Sequence, residues 1–183
     1  RVAPLKVSPW GSFLFSARPI QTINTEKHDD EMMRIEQFQP KHAAAVARVH
    51  RNSIRQIASE DCTEEEIATW SSQVSKNLDI PEDKHRFIAL QGKAVIGFAE
   101  YRENNEITNL YVHPRFTRQG IGSQLPAKIE KEARSRGLSY PKAKATVTAK
   151  PFYKRHGYEV LHETTYQIEG QELKVYKVLK ECN

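Results

Sequence analysis

Cysteine is nearly absent. The 183 residues hold two, Cys62 and Cys182, with no CxxC pair and no metal-ligand spacing. That excludes a disulfide framework and a zinc ribbon, and it suits free thiols in a reducing, cytoplasmic compartment. No apolar run approaches the roughly 20 residues of a membrane span, so no membrane association is expected. Basic residues outnumber acidic ones, 28 to 23, for a net charge of +5, yet no lysine-arginine block or aromatic-laced basic stripe is present. Nucleic acid is therefore not an expected partner, while small anions are favoured at long range. His113, His156 and His162 share no ligand spacing, so no metal is expected. Two common phosphate loops are missing too. No Gly-Lys is followed by Ser or Thr, and no triple-glycine fingerprint is followed by an acid about twenty residues on.

What remains is the composition of a globular domain, 28% charged and 38% hydrophobic, long enough for one sizeable core and too short for two. Residues 1–32 differ from the rest. Their first twenty contain three prolines and no sustained period, and the apolar piece around Phe13 to Phe15 is too short for a signal core. They read as an N-terminal extension, irregular or foreign to the domain, whose Trp10, Phe13 and Phe15 would dock on a neighbouring surface. A single domain is expected over 33–183.

Within that domain Arg34 to Phe38 alternates as a first strand. A helix is expected from about Lys41, with Val46, Val49, Ser53 and Ile57 on one stripe. A second opens with a capping box from Thr63 to Glu66 and buries Ile67, Trp70 and Val74. Trp70 sits on that apolar stripe and reads as core. Phe87–Leu90 and Ala94–Tyr101 form a hairpin around Gln91-Gly92-Lys93, and Asn104-Asn105 turns the chain into the next strand. This meander precedes a strand-helix-strand crossover, so the sheet should be mixed.

The most informative stretch is Ile107 to Leu125. Ile107, Leu110, Tyr111 and Val112 suit a buried strand, which Pro114 ends, and a helix opens at about Gly120. Gly120 and Gly122 carry no Cβ atoms to hold a ligand off the backbone, and the first N–H groups of the helix are unpaired. The stretch therefore reads as an anion site. Ile121, Leu125, Ile129 and Ala133 mark the buried face of the helix, Glu130 pairs with Arg134 on the opposite one, and Gly137 stops it. Pro126 should kink the helix or loosen its first turn, freeing a carbonyl near solvent or ligand. Lys142 to Ala149 alternates as a strand with the alanines and Val147 on one face. A short helix follows from Pro151 to Gly157, and two last strands, about 158–168 and 172–179, turn at Glu169-Gly170.

Two of these segments resemble the GNAT superfamily of N-acetyltransferases. Thr117 to Gly122, after the Tyr111-Val112-His113-Pro114 strand end, is similar to the acetyl-coenzyme A loop Gln/Arg-x-x-Gly-x-Gly/Ala, with Thr117 at the position of the first basic or amide side chain. Thr148 to Tyr158 is similar to the family's Ala-x-x-Phe-Tyr-x-x-x-Gly-Phe element. The resemblance spans about residues 33–180. It implies an α+β GNAT fold, a mixed, mostly antiparallel sheet of about six to seven strands flanked by about four helices. It also implies acetyl transfer from acetyl-coenzyme A, as co-substrate, to a primary amine by direct attack in a ternary complex. The acceptor would be a small molecule or a protein or peptide amine. Cofactor contacts would come from Leu110, Tyr111, Val112, Thr117, Arg118, Gln119, Gly120, Ile121, Gly122, Ser123, Thr146 and Phe152. In many relatives an asparagine stands where this chain has Thr146, and the last strands often pair between subunits, so a homodimer is consistent with the resemblance.

Acetyl transfer from a thioester needs a neutral amine, a donor for the carbonyl oxygen as charge develops, and a proton for the departing thiolate. The resemblance places Tyr153 as the general acid. Glu106, fourteen residues before Gly120, lies at the spacing of the general base in lysine-modifying relatives, with Glu100 or a water chain as alternatives. Lys150, Lys154 and Arg155 form a solvated face or meet the adenosine phosphates. The departures at Thr117, Pro126 and Thr146 motivate a second reading, a non-catalytic acyl-coenzyme A binding or sensing module.

Overall fold

In this computed structural model the described residues are 32–57, 63–72, 80, 82–138, 141–168 and 170–181. The extension, both cysteines and the 73–79 segment with Val74 lie outside them. Seven strands form one sheet in the order β1-β2-β3-β4-β5-β7-β6. They are β1 (Met33–Gln37), β2 (Lys84–Gln91), β3 (Ala94–Arg102), β4 (Glu106–Val112), β5 (Lys142–Thr146), β6 (Glu159–Ile168) and β7 (Gln171–Leu179). The helices are α1 (Ala43–Ile57), α2 (Glu64–Ser72), α3 (Ile121–Ser135) and α4 (Lys150–Arg155). Short 3-10 turns at Pro40–His42 and Pro114–Phe116 precede α1 and α3. No helix among the described residues is long and apolar enough to cross a membrane.

The turn chemistry explains the meander. Gly92 at φ 56° joins β2 to β3, and Asn105 at φ 64° joins β3 to β4, a left-handed conformation that asparagine tolerates better than most side chains. Every sheet pairing is antiparallel except β4 with β5. That parallel pair is brief. Only Glu106 with Lys142 and Ile107 with Ala143 are in register, after which the two strands part. A bulge between Glu100 and Tyr101 on β3, opposite Asn109 and Ile107 on β4, leaves Thr108 as the extra residue and sharpens the local twist.

Two apolar clusters cover the two faces of the sheet. Ile121, Leu125, Ile129 and Ala133 of α3 pack with Ala99, Tyr101, Ile107, Ala143 and Ala145. Val46 and Val49 of α1 pack with Ile88, Leu90 and Phe98. Close approach of α3 depends on Gly97, where a Cβ would come within 3.1 Å of both the Ile121 Cγ2 atom and the Tyr111 carbonyl oxygen.

The α3 helix continues across Pro126, whose side chain is fully buried, and two expectations change further along the chain. The residue lies in the second turn, and the carbonyl it leaves unpaired belongs to Gly122, which borders a cavity. Glu130 does not pair outward with Arg134. The buried stripe is wider than the sequence period indicated, and Glu130, buried at its edge, accepts bonds from Tyr158 Oη at 3.0 Å and Lys180 Nζ at 2.8 Å. Strand β5 stops at Thr146, whose hydroxyl accepts the Ala149 amide at 3.3 Å; the chain turns there, so Val147 is exposed rather than part of the alanine face.

Candidate active site

Where β4 and β5 part, a cavity of about 770 Å³ opens. Alternation along β4 decides which backbone groups face it. His113 N donates to Ile96 O at 2.8 Å, which makes Val112 opposite Gly97 a non-hydrogen-bonded pair. Two residues back, Leu110 opposite Ala99 is the same. The amide and carbonyl groups of Leu110 and Val112 therefore point away from β3, toward the gap. One of them is already within reach of a partner: the single Ser53 hydroxyl proton is shared between the Val112 carbonyl at 2.9 Å and Val49 O at 2.8 Å. Sequence reasoning placed Ser53 on the apolar stripe of α1 and missed this bond, which pins the helix to the strand end.

The loop after β4 is built by the geometry of its backbone. Thr117 is exposed and its hydroxyl donates to Pro114 O at 3.0 Å, closing the 3-10 turn. Arg118 at φ 64° and Gly120 at φ 80° are both left-handed, which brings the chain abruptly into α3. No side chain caps the helix. The Ser123 and Gln124 amides return to Gly120 O at 3.1 Å each, so the Ile121 and Gly122 amides have no helical acceptor and the positive end of the dipole is uncovered. Arg118 and Gln119 are exposed beside it, whereas the Ile121 side chain is buried in the core. Thus Ile121 can offer a ligand only its backbone. At Gly122 a Cβ would meet the Phe152 ring at 3.5 Å, so the helix start and α4 close on each other around a bare backbone.

Helix α4 is held there by a histidine that the sequence gave no reason to single out. His156 Nδ1 lies 2.8 Å from the Phe152 carbonyl, an acceptor only, so Nδ1 carries the proton. The Nε2 atom lies 2.7 Å from Ser123 Oγ and is hydrogen-bonded to it. Its ring packs on Phe152 with centroids 4.2 Å apart. This fixes Phe152 and Tyr153, both of which line the cavity. Burial pushes the Tyr153 phenol above its ordinary pKa, so it keeps its proton through neutral and alkaline pH.

Glu106, Leu110, Tyr111, Val112, Gly122, Thr146, Phe152 and Tyr153 all border this cavity. Of the residues expected at the site, Thr117, Arg118, Gln119, Gly120, Ile121 and Ser123 do not line it; they form the loop and helix start at its donor end. Glu106 is partly exposed and lies 3.8 Å from Lys144 Nζ. Glu100, the alternative base, is in a different state. Fully buried, it accepts from Arg86 Nη2 at 2.6 Å, Lys84 Nζ at 3.0 Å, and the Thr108 hydroxyl and Asn109 amide at 2.9 Å each. Burial alone would raise its pKa, but Arg86 and Lys84 outweigh that and hold it below the usual carboxylate range. A carboxylate so tightly bound is a poor proton acceptor; its work is to fasten the bulged part of β4 to β3 and β2.

Trp70, read as core, is half-buried on the cavity wall, where its indole bonds Tyr111. Tyr111 also packs on His50, ring centroids 4.4 Å apart. His50 is 4% exposed and its Nε2 atom has no partner. Desolvation above all, then the nearby Arg86, brings its pKa down to about 4. Among the described residues no group of three His, Cys, Asp or Glu side chains is arranged to hold a metal.

A sheet that splays beside a glycine-started helix, with the cavity running into the splay, frames the site, and comparison with known proteins gives its class. Residues 58–177 match the family described as Acetyltransferase (GNAT) domain, and the chain belongs to that family. It is an acetyl-coenzyme A dependent acyltransferase. The uncharacterized N-acetyltransferase YafP of Escherichia coli (strain K12) is 23% identical over 139 residues, covering 75% of this chain and 89% of that protein. Among solved structures, a GCN5-related N-acetyltransferase of Rhodopseudomonas palustris superposes with a TM-score of 0.75 at 26% identity, over 81% of this chain and 94% of that one. The PaiA N-acetyltransferase of Thermoplasma acidophilum, solved in complex with coenzyme A, superposes with a TM-score of 0.68 at 21% identity, over 82% and 99%.

Proposed function

We propose that the protein moves the acetyl group of acetyl-coenzyme A to a primary amine by direct attack, with both substrates bound in the splay between β4 and β5. The observation that carries this reading is the convergence on one cavity of outward-facing β4 backbone, a bare helix start and a protonated buried phenol. The α3 start and the loop residues Thr117, Arg118, Gln119, Gly120 and Ser123 hold the pyrophosphate, mainly by backbone N–H groups. The backbone of Leu110 and Val112 aligns the pantetheine amides, with Tyr111, Thr146 and Phe152 enclosing the arm. Tyr153, which burial keeps protonated, donates to the departing thiolate. Glu106, 3.8 Å from Lys144 Nζ, takes the proton of the amine.

Isothermal titration with acetyl-coenzyme A and with free coenzyme A, paired with thiol-release kinetics over an amine panel, tests this. Tyr153→Phe should lower kcat about 100-fold or more and leave acetyl-coenzyme A affinity within about 2-fold. An equal loss of affinity and rate would assign Tyr153 to packing alone and remove it as the acid.

A further inference from the structure

We infer that the acceptor carries a carboxylate close to its amine, as a free amino acid does, and that Arg102 and Lys144 hold it. This rests on the acetyl-transfer reading and names its substrate class.

The cavity has two unlike ends. Gly122 and Phe152 border one, at the α3 start; Lys84, Arg102, Glu106 and Lys144 border the other. Sheet register brings the second group together: Lys84 is opposite Arg102, and Glu106 is opposite Lys142, two residues before Lys144. The seven residues of β4 separate the ends by about 20 Å, too far for these cations to serve a phosphate seated on α3. They are therefore available for something else.

Among the described residues, every charged group lining the cavity is at this far end, three cations against the single carboxylate of Glu106. Their present partners leave room for a ligand. Arg102 reaches Asp83 at 3.7 Å, with the two side chains 46% and 55% exposed, a surface pair that contributes little. Lys144 reaches Glu106 only at 3.8 Å and lies over the Tyr166 ring at 5.0 Å. Lys84 is committed to Glu100 at 3.0 Å, which leaves Arg102 and Lys144 as the cations free to meet a ligand. An acceptor carboxylate bridging Arg102 and Lys144 balances this surplus. It also seats the adjacent amine by Glu106, where nearby cations favour the neutral, nucleophilic form. A polyamine would add positive charge to the same place.

The test is thiol release from acetyl-coenzyme A with free amino acids, their methyl esters and spermidine, run beside acetyl-coenzyme A titration. Free acids are expected to show kcat/KM at least 10-fold above their esters and above spermidine. Arg102→Ala should raise KM for the acid about 10-fold while leaving the ester, and acetyl-coenzyme A affinity, within 2-fold; Arg102→Lys should recover part of the loss. Because Arg102 is half-exposed, the variant is expected to fold. Preference for spermidine or the esters, or an equal effect of Arg102→Ala on acid and ester, would overturn the carboxylate assignment and leave acetyl transfer standing. Tight acetyl-coenzyme A binding with no thiol release from any amine would overturn both.

Discussion

His50 makes the stability of this domain depend on pH in a defined window. The ring is buried between α1 and the sheet, against Tyr111 of β4 and Phe98 of β3, with Arg86 of β2 and Arg51 of its own helix disfavouring a second proton and Glu100 opposing them only in part. Its pKa falls from 6.5 to about 4 on folding. The unfolded chain therefore binds a proton more readily than the folded one, and stability is lost as pH falls from about 6.5 to about 4. Linkage gives a loss of about 2 kcal/mol between pH 7.5 and pH 5, approaching about 3 kcal/mol at pH 4. Glu100, whose pKa lies below 4.5, destabilises only at more acid pH, so the upper part of the window isolates the histidine. Urea unfolding at pH 7.5, 6.0 and 5.0 on the native chain and His50→Gln reads the effect as a difference, which removes the contributions of other histidines. The slope should flatten in the variant by about the amount calculated. An imidazole titration by NMR giving His50 an ordinary pKa near 6.5, or identical slopes in the two proteins, would refute the reasoning.

Other substitutions probe the scaffold of the site. Gly97→Val forces a side chain into the Tyr111 carbonyl and the α3 side chains, and should cost about 2–3 kcal/mol in denaturant unfolding. Glu130→Ala leaves the Tyr158 hydroxyl and the Lys180 ammonium without their shared acceptor; a loss of about 2 kcal/mol is expected by the same measurement. Gly120→Ala strains a residue at φ 80° and should both lower stability by about 1 kcal/mol and weaken acetyl-coenzyme A binding several-fold by titration calorimetry.

Much of the fold was legible because its signals are local. The glycine at φ 56° between β2 and β3, the asparagine at φ 64° before β4 and the α3 stripe all declare themselves within a few residues. The glycine-bearing start of α3 and the short helix carrying Tyr153 were legible for the same reason. The state of Glu100, an alternative to Glu106 as base, was not legible because it depends on Arg86, directly opposite across the hairpin; extending the turn at Gly92 back along both strands reaches that pair, though a bulge at Ala89 and Leu90 shifts the count. Glu130 needed knowledge of Lys180, fifty residues away, which no local period contains. Val147 continued an alternation that the Thr146 turn had already ended.

The short parallel pairing of β4 with β5 makes the sheet a seam. On one side lie β1 to β4, on the other β5, β7 and β6, and backbone joins them directly at only two residue pairs. An amide-bearing arm laid along Leu110 and Val112 would act as a partial eighth strand, stitching the two halves through bonds the chain does not make by itself. Bound in that way, the donor molecule would be a structural member of the sheet as well as a reactant.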